Sequence, residues 1–319
     1  MTNLAHFQVH ERQSDEPAHP RVKVTLTIGR KYGAMTALYP PLFLSVGAMK
    51  AGTTWLFSVL GRHPALHVTM EKEIHYFHHR YIDPRKLSEA YRLEEARARY
   101  LRRFDPKRSN IARVRQNLHW ISNYLSSPVD DHWYRNLFAL RDGERWACDF
   151  SNLNALLPLE AWPQIAERAA DLRVLFTMRN PLERLWSHVK FHLEVTGQND
   201  RLADWGPEEM DRFARQAHIW DNGEYGTILR RLDAALPEGQ FLALFYEEIH
   251  ADRLAALVQI EQFLDLPPHR YPEALIARRF TESPALAMPP YFADLFAADM
   301  IRIRQEVAEV GFRPPECWS

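Results

Sequence analysis

Residues 42–60 read as a buried strand, a tight loop and a helix with almost nothing between them, and no other stretch constrains the fold as much. Leu42-Phe43-Leu44-Ser45-Val46-Gly47 is a short apolar run placed just after the breaker Tyr39-Pro40-Pro41. A run of this kind, bounded by turn signals, suits a strand buried on both faces, and such strands belong to parallel sheets covered by helices. Ala48-Met49-Lys50-Ala51-Gly52-Thr53-Thr54 then leads into Trp55–Leu60, which has helical spacing. The same order recurs further on. Leu172–Met178 is a strand, Arg179-Asn180 a turn, and Pro181 opens a helix at its favoured first-turn position, with the helix running from Leu182 to about Val195. Phe241–Tyr246 reads as another buried strand, followed by an amphipathic helix from Arg253 to Leu264. Shorter strands are expected at Leu66–Thr69 and Arg145–Phe150. Strands alternating with helices predict an α/β fold on a central parallel sheet.

Residues 81–140 break the alternation. They are rich in Arg, Tyr and Leu and helical in pattern, which predicts a helical insertion over 80–145 beside the sheet. Residues 1–20 are polar and Arg21–Ile28 alternates like a short strand, so residues 1–38 read as a tail and 39–319 as one domain. The 40 basic and 41 acidic residues leave a formal charge of -1. That balance excludes a whole-protein basic field for nucleic acid or a polysulfated glycan, while leaving room for a local basic pocket. Two cysteines, Cys148 and Cys317, are too few for a disulfide framework or a cysteine zinc site. The N-terminus lacks the basic start and apolar stretch of a secretory signal, and no run of about 18 apolar residues occurs. The expectation is a soluble, cytoplasmic protein without a membrane or nucleic-acid partner.

A loop between a buried strand and a helix gathers backbone N–H groups and the helix dipole around an anion. Here that loop carries Lys50 and two consecutive hydroxyls, Thr53 and Thr54. It is not the Walker pattern, in which the lysine follows the second glycine, because Lys50 precedes Gly52. This order argues against an ordinary nucleoside triphosphatase. Lys50 is one of only seven lysines among 40 basic residues, which suggests a need for a compact ammonium there.

Val46 to Leu56 as a block resembles the 5′-phosphosulfate loop of sulfotransferases, enzymes that use 3′-phosphoadenosine 5′-phosphosulfate (PAPS) as donor. The stretch Met178 to Ser187 is similar to the 3′-phosphate site of that family, an arginine at a strand end and a serine eight residues on. Glu71-Lys72-Glu73-Ile74-His75-Tyr76-Phe77 resembles the acidic segment of the heparan-sulfate-type branch. Cys148 to Pro158 resembles the acceptor-side segment, but departs from it. Asn152 stands where proline is usual, Asn154 where tyrosine is usual, and Phe150 where some members carry lysine. Gly223-Glu224-Tyr225-Gly226 through Phe245-Tyr246-Glu247-Glu248 to Phe263-Leu264 follows the family's C-terminal half in outline. The likeness covers about residues 40–270, apart from 80–145.

The resemblance implies a P-loop-like three-layer fold and a donor site made by Lys50, Ala51, Gly52, Thr53, Thr54, Trp55, Arg179, Ser187 and Tyr225. It implies catalysis by Lys50 on the leaving phosphate and by Glu73 as base, with His75 beside it in the acceptor site. It implies no metal. The acceptor would be a small molecule or a saccharide, and the altered segment favours a small or uncharged one. On the residues alone, plainer readings stand beside these. Thr53 and Thr54 could cap the helix, Glu73 could be a solvated loop carboxylate beside Lys72, Trp55 could be core, and Arg179 could pair with Glu183. A P-loop nucleotide kinase and a non-catalytic nucleotide-binding protein are the alternative functions.

Overall fold

Five strands form one sheet: β1 (Leu42–Gly47), β2 (Leu66–Val68), β3 (Trp146–Phe150), β4 (Leu172–Met178) and β5 (Phe241–Phe245). This computed structural model describes residues 37–101, 110–278, 280 and 286–318. The strand expected at Arg21–Ile28 lies outside the described residues. The order is β2-β3-β1-β4-β5, and every neighbouring pair is parallel. β1 is central because all six of its residues can be buried, and they are.

Alternate side chains of β1 enter opposite layers, as the period of two requires. Leu42, Leu44 and Val46 pack with Val174, Phe176 and Met178 and with the helix Tyr225–Ala235 on one face. Phe43 packs with Trp55, Leu56 and Val59 of α1 (Thr53–Leu60), and with the helix Arg253–Phe263, on the other. Fully burying a side chain of this size contributes roughly 1.5–3 kcal/mol, so the three-layer arrangement is secured from both sides of one strand.

The described part of residues 80–145 is largely helical, as expected: α2 (Tyr76–Tyr81), α3 (Glu89–Ala96), α4 (Ile111–Leu125) and α5 (Asp131–Asn136), with α6 (Ala161–Arg168) following β3. They are not an appendage beside the sheet, however. Trp120, Tyr124, Trp133, Tyr134 and Phe138 share a core cluster with Tyr39, Leu42 and Leu44. The Tyr134 ring stacks on Tyr76 with centroids 4.7 Å apart. Asp131 of α5 accepts from the hydroxyls of Tyr39 (2.6 Å) and Tyr76 (2.5 Å), tying the segment to both ends of the first crossover. The aromatic content explains the difference, since these rings are too large to leave in water.

The bounds of β4 are those expected. β2 ends one residue early because Thr69 turns its hydroxyl to donate to the Glu71 carbonyl (2.7 Å). β5 ends at Phe245, since Tyr246 already opens a helix, Tyr246–Ala251. With all strands parallel, their carboxyl ends share one edge, and β1 emerges there between β3 and β4. Open α/β sheets place ligands at such a crevice.

Candidate active site

The loop after β1 is anchored to β4 by its backbone. Ala48 N–H donates to the Thr177 carbonyl (2.6 Å), and the Thr177 hydroxyl donates to the Gly47 carbonyl (2.8 Å). Gly52, not a threonine, is the N-cap of α1, and no side chain caps this helix. Its φ of +82° is a left-handed shape that favours glycine, and a Cβ there would lie 2.9 Å from the Tyr246 ring. The amides of Trp55 and Leu56 return to the Gly52 carbonyl, so those of Gly52 to Thr54 stand at the open helix end. Ala51 does not join them. Its side chain is fully buried and its N–H donates back to Ala48 (3.2 Å), because the loop is too tight to spare that amide.

Lys50 follows in the same loop with φ +71°. Its ammonium lies 4.8 Å from the centre of the Phe191 ring, a cation–π contact. Burial first, and then the neighbouring Arg179, hold this lysine below its ordinary range. An anion bound between the two would reverse that shift.

Arg179 leaves the carboxyl end of β4. Its guanidinium lies over the Tyr246 ring at 4.9 Å, donates to the Lys50 carbonyl at 3.5 Å, and reaches the exposed Glu183 at 3.3 Å. Ser187, two turns along α7 (Pro181–Val195), faces the same cavity. Asn180 caps α7, its side chain accepting from Leu182 and Glu183 N–H, and its own N–H donates to Glu247 (2.7 Å). Tyr225 is not in the cavity wall. It is fully buried between Phe176 and Trp318, and its hydroxyl donates to the Arg179 carbonyl (2.9 Å). Burial pushes its phenol up to about 12, so it remains the donor. Tyr225 therefore fixes the strand end that aims Arg179 rather than meeting a ligand. Trp55 lines the cavity while almost wholly buried, its indole N–H donating to the Ile276 carbonyl (3.1 Å).

The opposite wall is assembled from distant segments. Glu73 N–H donates to the Phe150 carbonyl (2.9 Å), continuing the edge of β3. Its carboxylate accepts from the Asn152 N–H (2.8 Å) and from the Lys72 ammonium (3.0 Å). Lys72 also donates to the Thr53 hydroxyl (2.8 Å), so one side chain joins the helix end to the carboxylate. His75 Nε2 stands 3.6 Å from the Glu73 carboxylate. Burial, then the nearby Lys86, hold His75 well below its ordinary range, so the ring is neutral. Its backbone N–H donates to the Ser151 hydroxyl (2.9 Å), which in turn donates to Asp149 (2.6 Å). Asp149 is fully enclosed and also accepts from Tyr134 (3.0 Å). Burial pushes its carboxyl up to about 6 against those two bonds.

Lys50, Gly52, Thr53, Thr54, Trp55, Glu73, His75, Arg179 and Ser187 thus meet around one cavity of about 1280 Å³. Among the described residues, four non-glycine residues have positive φ, and three of them are Lys50, Glu73 and His75. Left-handed backbone costs an ordinary residue about 1–2 kcal/mol, and such strain clusters at functional sites. Sequence reasoning passed over Lys72, Asn152, Tyr246, His192 and His218, which line the same cavity. Lys72 was visible as the neighbour of Glu73, but its bond to Thr53 spans 19 residues and leaves no local signal.

A family model described as "Sulfotransferase family" matches residues 41–270. A sulfotransferase from Alicyclobacillus acidocaldarius shares the fold, with a TM-score of 0.58 at 20% identity over 87% of this chain and 98% of that one. The sulfotransferase domain from the curacin biosynthetic pathway aligns with a TM-score of 0.49 at 16% identity, over 86% of this chain and 99% of that one. No curated protein matches the chain in sequence. Among the described residues, no helix is long and apolar enough to cross a membrane.

Proposed function

The chain belongs to the sulfotransferase family, and from that premise we propose that its cavity takes PAPS and passes the sulfuryl group to a hydroxyl or amine of an acceptor. The observation that carries this reading is the meeting of Lys50, Glu73, Arg179 and Ser187 on one cavity at the strands' carboxyl ends. The donor set suits the group. The open amides of Gly52 to Thr54 and the ammonium of Lys50 would hold the 5′-phosphosulfate, and Arg179 with Ser187 the 3′-phosphate. Arginine's planar fork bonds two phosphate oxygens at once. Within the family, the Glu73-Ile74-His75 pattern supports kinship with the heparan-sulfate-type branch.

When bound, PAPS supplies the sulfuryl group and leaves as adenosine 3′,5′-bisphosphate. Lys50 neutralises charge on the leaving phosphate. Glu73 takes the acceptor's proton on its carboxylate, which Lys72 and the Asn152 N–H hold in place. A positioned carboxylate base contributes about 10²–10⁴-fold. His75, buried and neutral, borders the base and orients the acceptor. Met49, Leu153, Phe191 and Val195 line the cavity as well, and they suit an acceptor with an apolar body.

Calorimetric titration with adenosine 3′,5′-bisphosphate tests the donor site, with ADP and ATP–Mg²⁺ as controls. Binding of the bisphosphate alone is the expected result. A preference for ATP–Mg²⁺ would move the reading to a kinase. No binding of any of the three would overturn both.

A further inference from the structure

Three histidines at and behind the wall beside Lys50 have no part in the steps above. His188 and His192 lie one turn apart on α7. His218, on the helix Ala217–Trp220, meets His192 edge-on with ring centroids 4.5 Å apart. Arg184 lies at the inner end of the row and is 2% exposed. Its Nη1 donates to the Ile219 carbonyl (3.2 Å) and lies 3.1 Å from His188 Nδ1. His188 Nε2 lies 3.2 Å from His192 Nε2. His188 is fully buried, whereas His192 and His218 line the cavity.

These contacts fix where the protons are. A guanidinium carries only donors and keeps its charge in proteins. His188 Nδ1 must therefore accept from Arg184. Burial, then Arg184 itself, keep His188 neutral, so its one proton sits on Nε2. That N–H faces His192 Nε2, which must accept in turn. Burial, then His218 and Lys50, hold His192 down to about 4, so it too is neutral. Its proton is left on Nδ1. The row runs one way, from a buried cation to an uncharged N–H donor on a cavity-lining ring.

We propose that His192 is an acceptor-binding residue whose Nδ1–H, oriented by Arg184 through His188, donates to an oxygen of the acceptor. This rests on the sulfotransferase reading of the cavity and deepens it by naming a class. A fixed N–H donor with the Lys50 cation nearby, and Glu194 also near Lys50, favours an oxygen lone pair and disfavours an ammonium. The acceptor is then an alcohol, and transfer is to oxygen rather than nitrogen. Arg184 and His188 are positioning residues.

The test uses the full chain labelled with ¹⁵N-histidine, in the presence of adenosine 3′,5′-bisphosphate. Long-range ¹H–¹⁵N spectra at neutral pH report each ring's tautomer, with His188→Gln and His192→Gln for assignment. The expected result is a proton on Nε2 of His188 and on Nδ1 of His192. A proton on Nε2 of His192, or an imidazolium there, overturns the proposal. Benzyl alcohol and benzylamine are then titrated as probes. Benzyl alcohol should shift the His192 Nδ1 proton and benzylamine should not. His192→Asn, whose amide N–H replaces Nδ1–H, should keep the affinity for benzyl alcohol, while His192→Gln loses about tenfold, the weight of one hydrogen bond. Equal affinities in both variants, or no response at His192 to benzyl alcohol, overturn the proposal. Failure of the bisphosphate to bind would instead count against the donor reading, because the tautomers can be read in the free protein.

Discussion

The loop of residues 47–54, proposed to hold the donor, and the wall of residues 71–77 with 149–154, proposed to face the acceptor, meet across one cavity but are held by different means. The loop is one unbroken stretch. Its shape is set by backbone bonds to β4 and by Gly52, with Lys50 projecting from it. The wall is drawn from two stretches nearly 80 residues apart and, beyond the single backbone bond from Glu73 N–H to the Phe150 carbonyl, is joined by side chains. Glu73 reaches the Asn152 N–H across 79 residues, and the His75 N–H reaches Ser151 across 76. A backbone-built site tolerates changes at most side chains and fails at its glycine. A wall built from side-chain bonds can be loosened one partner at a time, with graded losses.

Substitutions can separate the two halves. Lys50→Met should have the largest effect, lowering turnover by at least about 10³-fold and weakening bisphosphate binding as well, because on the proposed reading its charge serves the donor directly. Glu73→Gln should lower turnover by about 10²-fold while bisphosphate affinity stays within about twofold. Calorimetry beside single-turnover rates would read both, and a matching loss of affinity in Glu73→Gln would erase the division between the halves. Asp149→Asn probes the support behind the wall. Its carboxyl titrates at about 6 in the fold against 3.8 in the free side chain. The group's stabilising contribution is thus complete below about pH 4 and is lost as pH rises through about 6. The stability difference between Asp149→Asn and the parent should grow in the variant's favour by about 3 kcal/mol over that window. Denaturant midpoints across pH would show it, and a constant difference would mean that the buried carboxyl does not titrate there. Thr53→Val removes one partner of Lys72 and leaves the other, so turnover should fall only about threefold, the lower end of what one hydrogen bond is worth, because Lys72 keeps Glu73.

The same contrast explains what could be read from the sequence. β1 and β4 were legible to the residue because a strand buried on both faces must be a continuous apolar run, and each carries its turn signal next to it. Lys50, Gly52 and Arg179 could be placed at the cavity because they lie within five residues of those strand ends, whereas Ser187, nine residues beyond β4, was placed by the family resemblance. Tyr225 was misplaced, since nothing near it in the chain reveals that Phe176 and Trp318 enclose its ring and that Arg179 takes its hydroxyl. The helices of residues 80–145 were foreseen by their spacing, but their place in the core depends on contacts with Tyr39 and Tyr76, distant in sequence. The row Arg184–His188–His192 has helical spacing of four, yet its meeting with His218 is formed only by the fold.

Lys50, Glu73 and His75 each occupy a left-handed backbone position that glycine would occupy without strain. At Lys50 the glycine variant is expected to unfold at a higher temperature, by up to about 1 kcal/mol in stability, while losing turnover on the proposed mechanism. Variants sorted only for heat tolerance would therefore drift toward inactive chains at that site. On that mechanism robustness and chemistry are opposed at a single residue, and selection for activity must act continuously to keep it occupied.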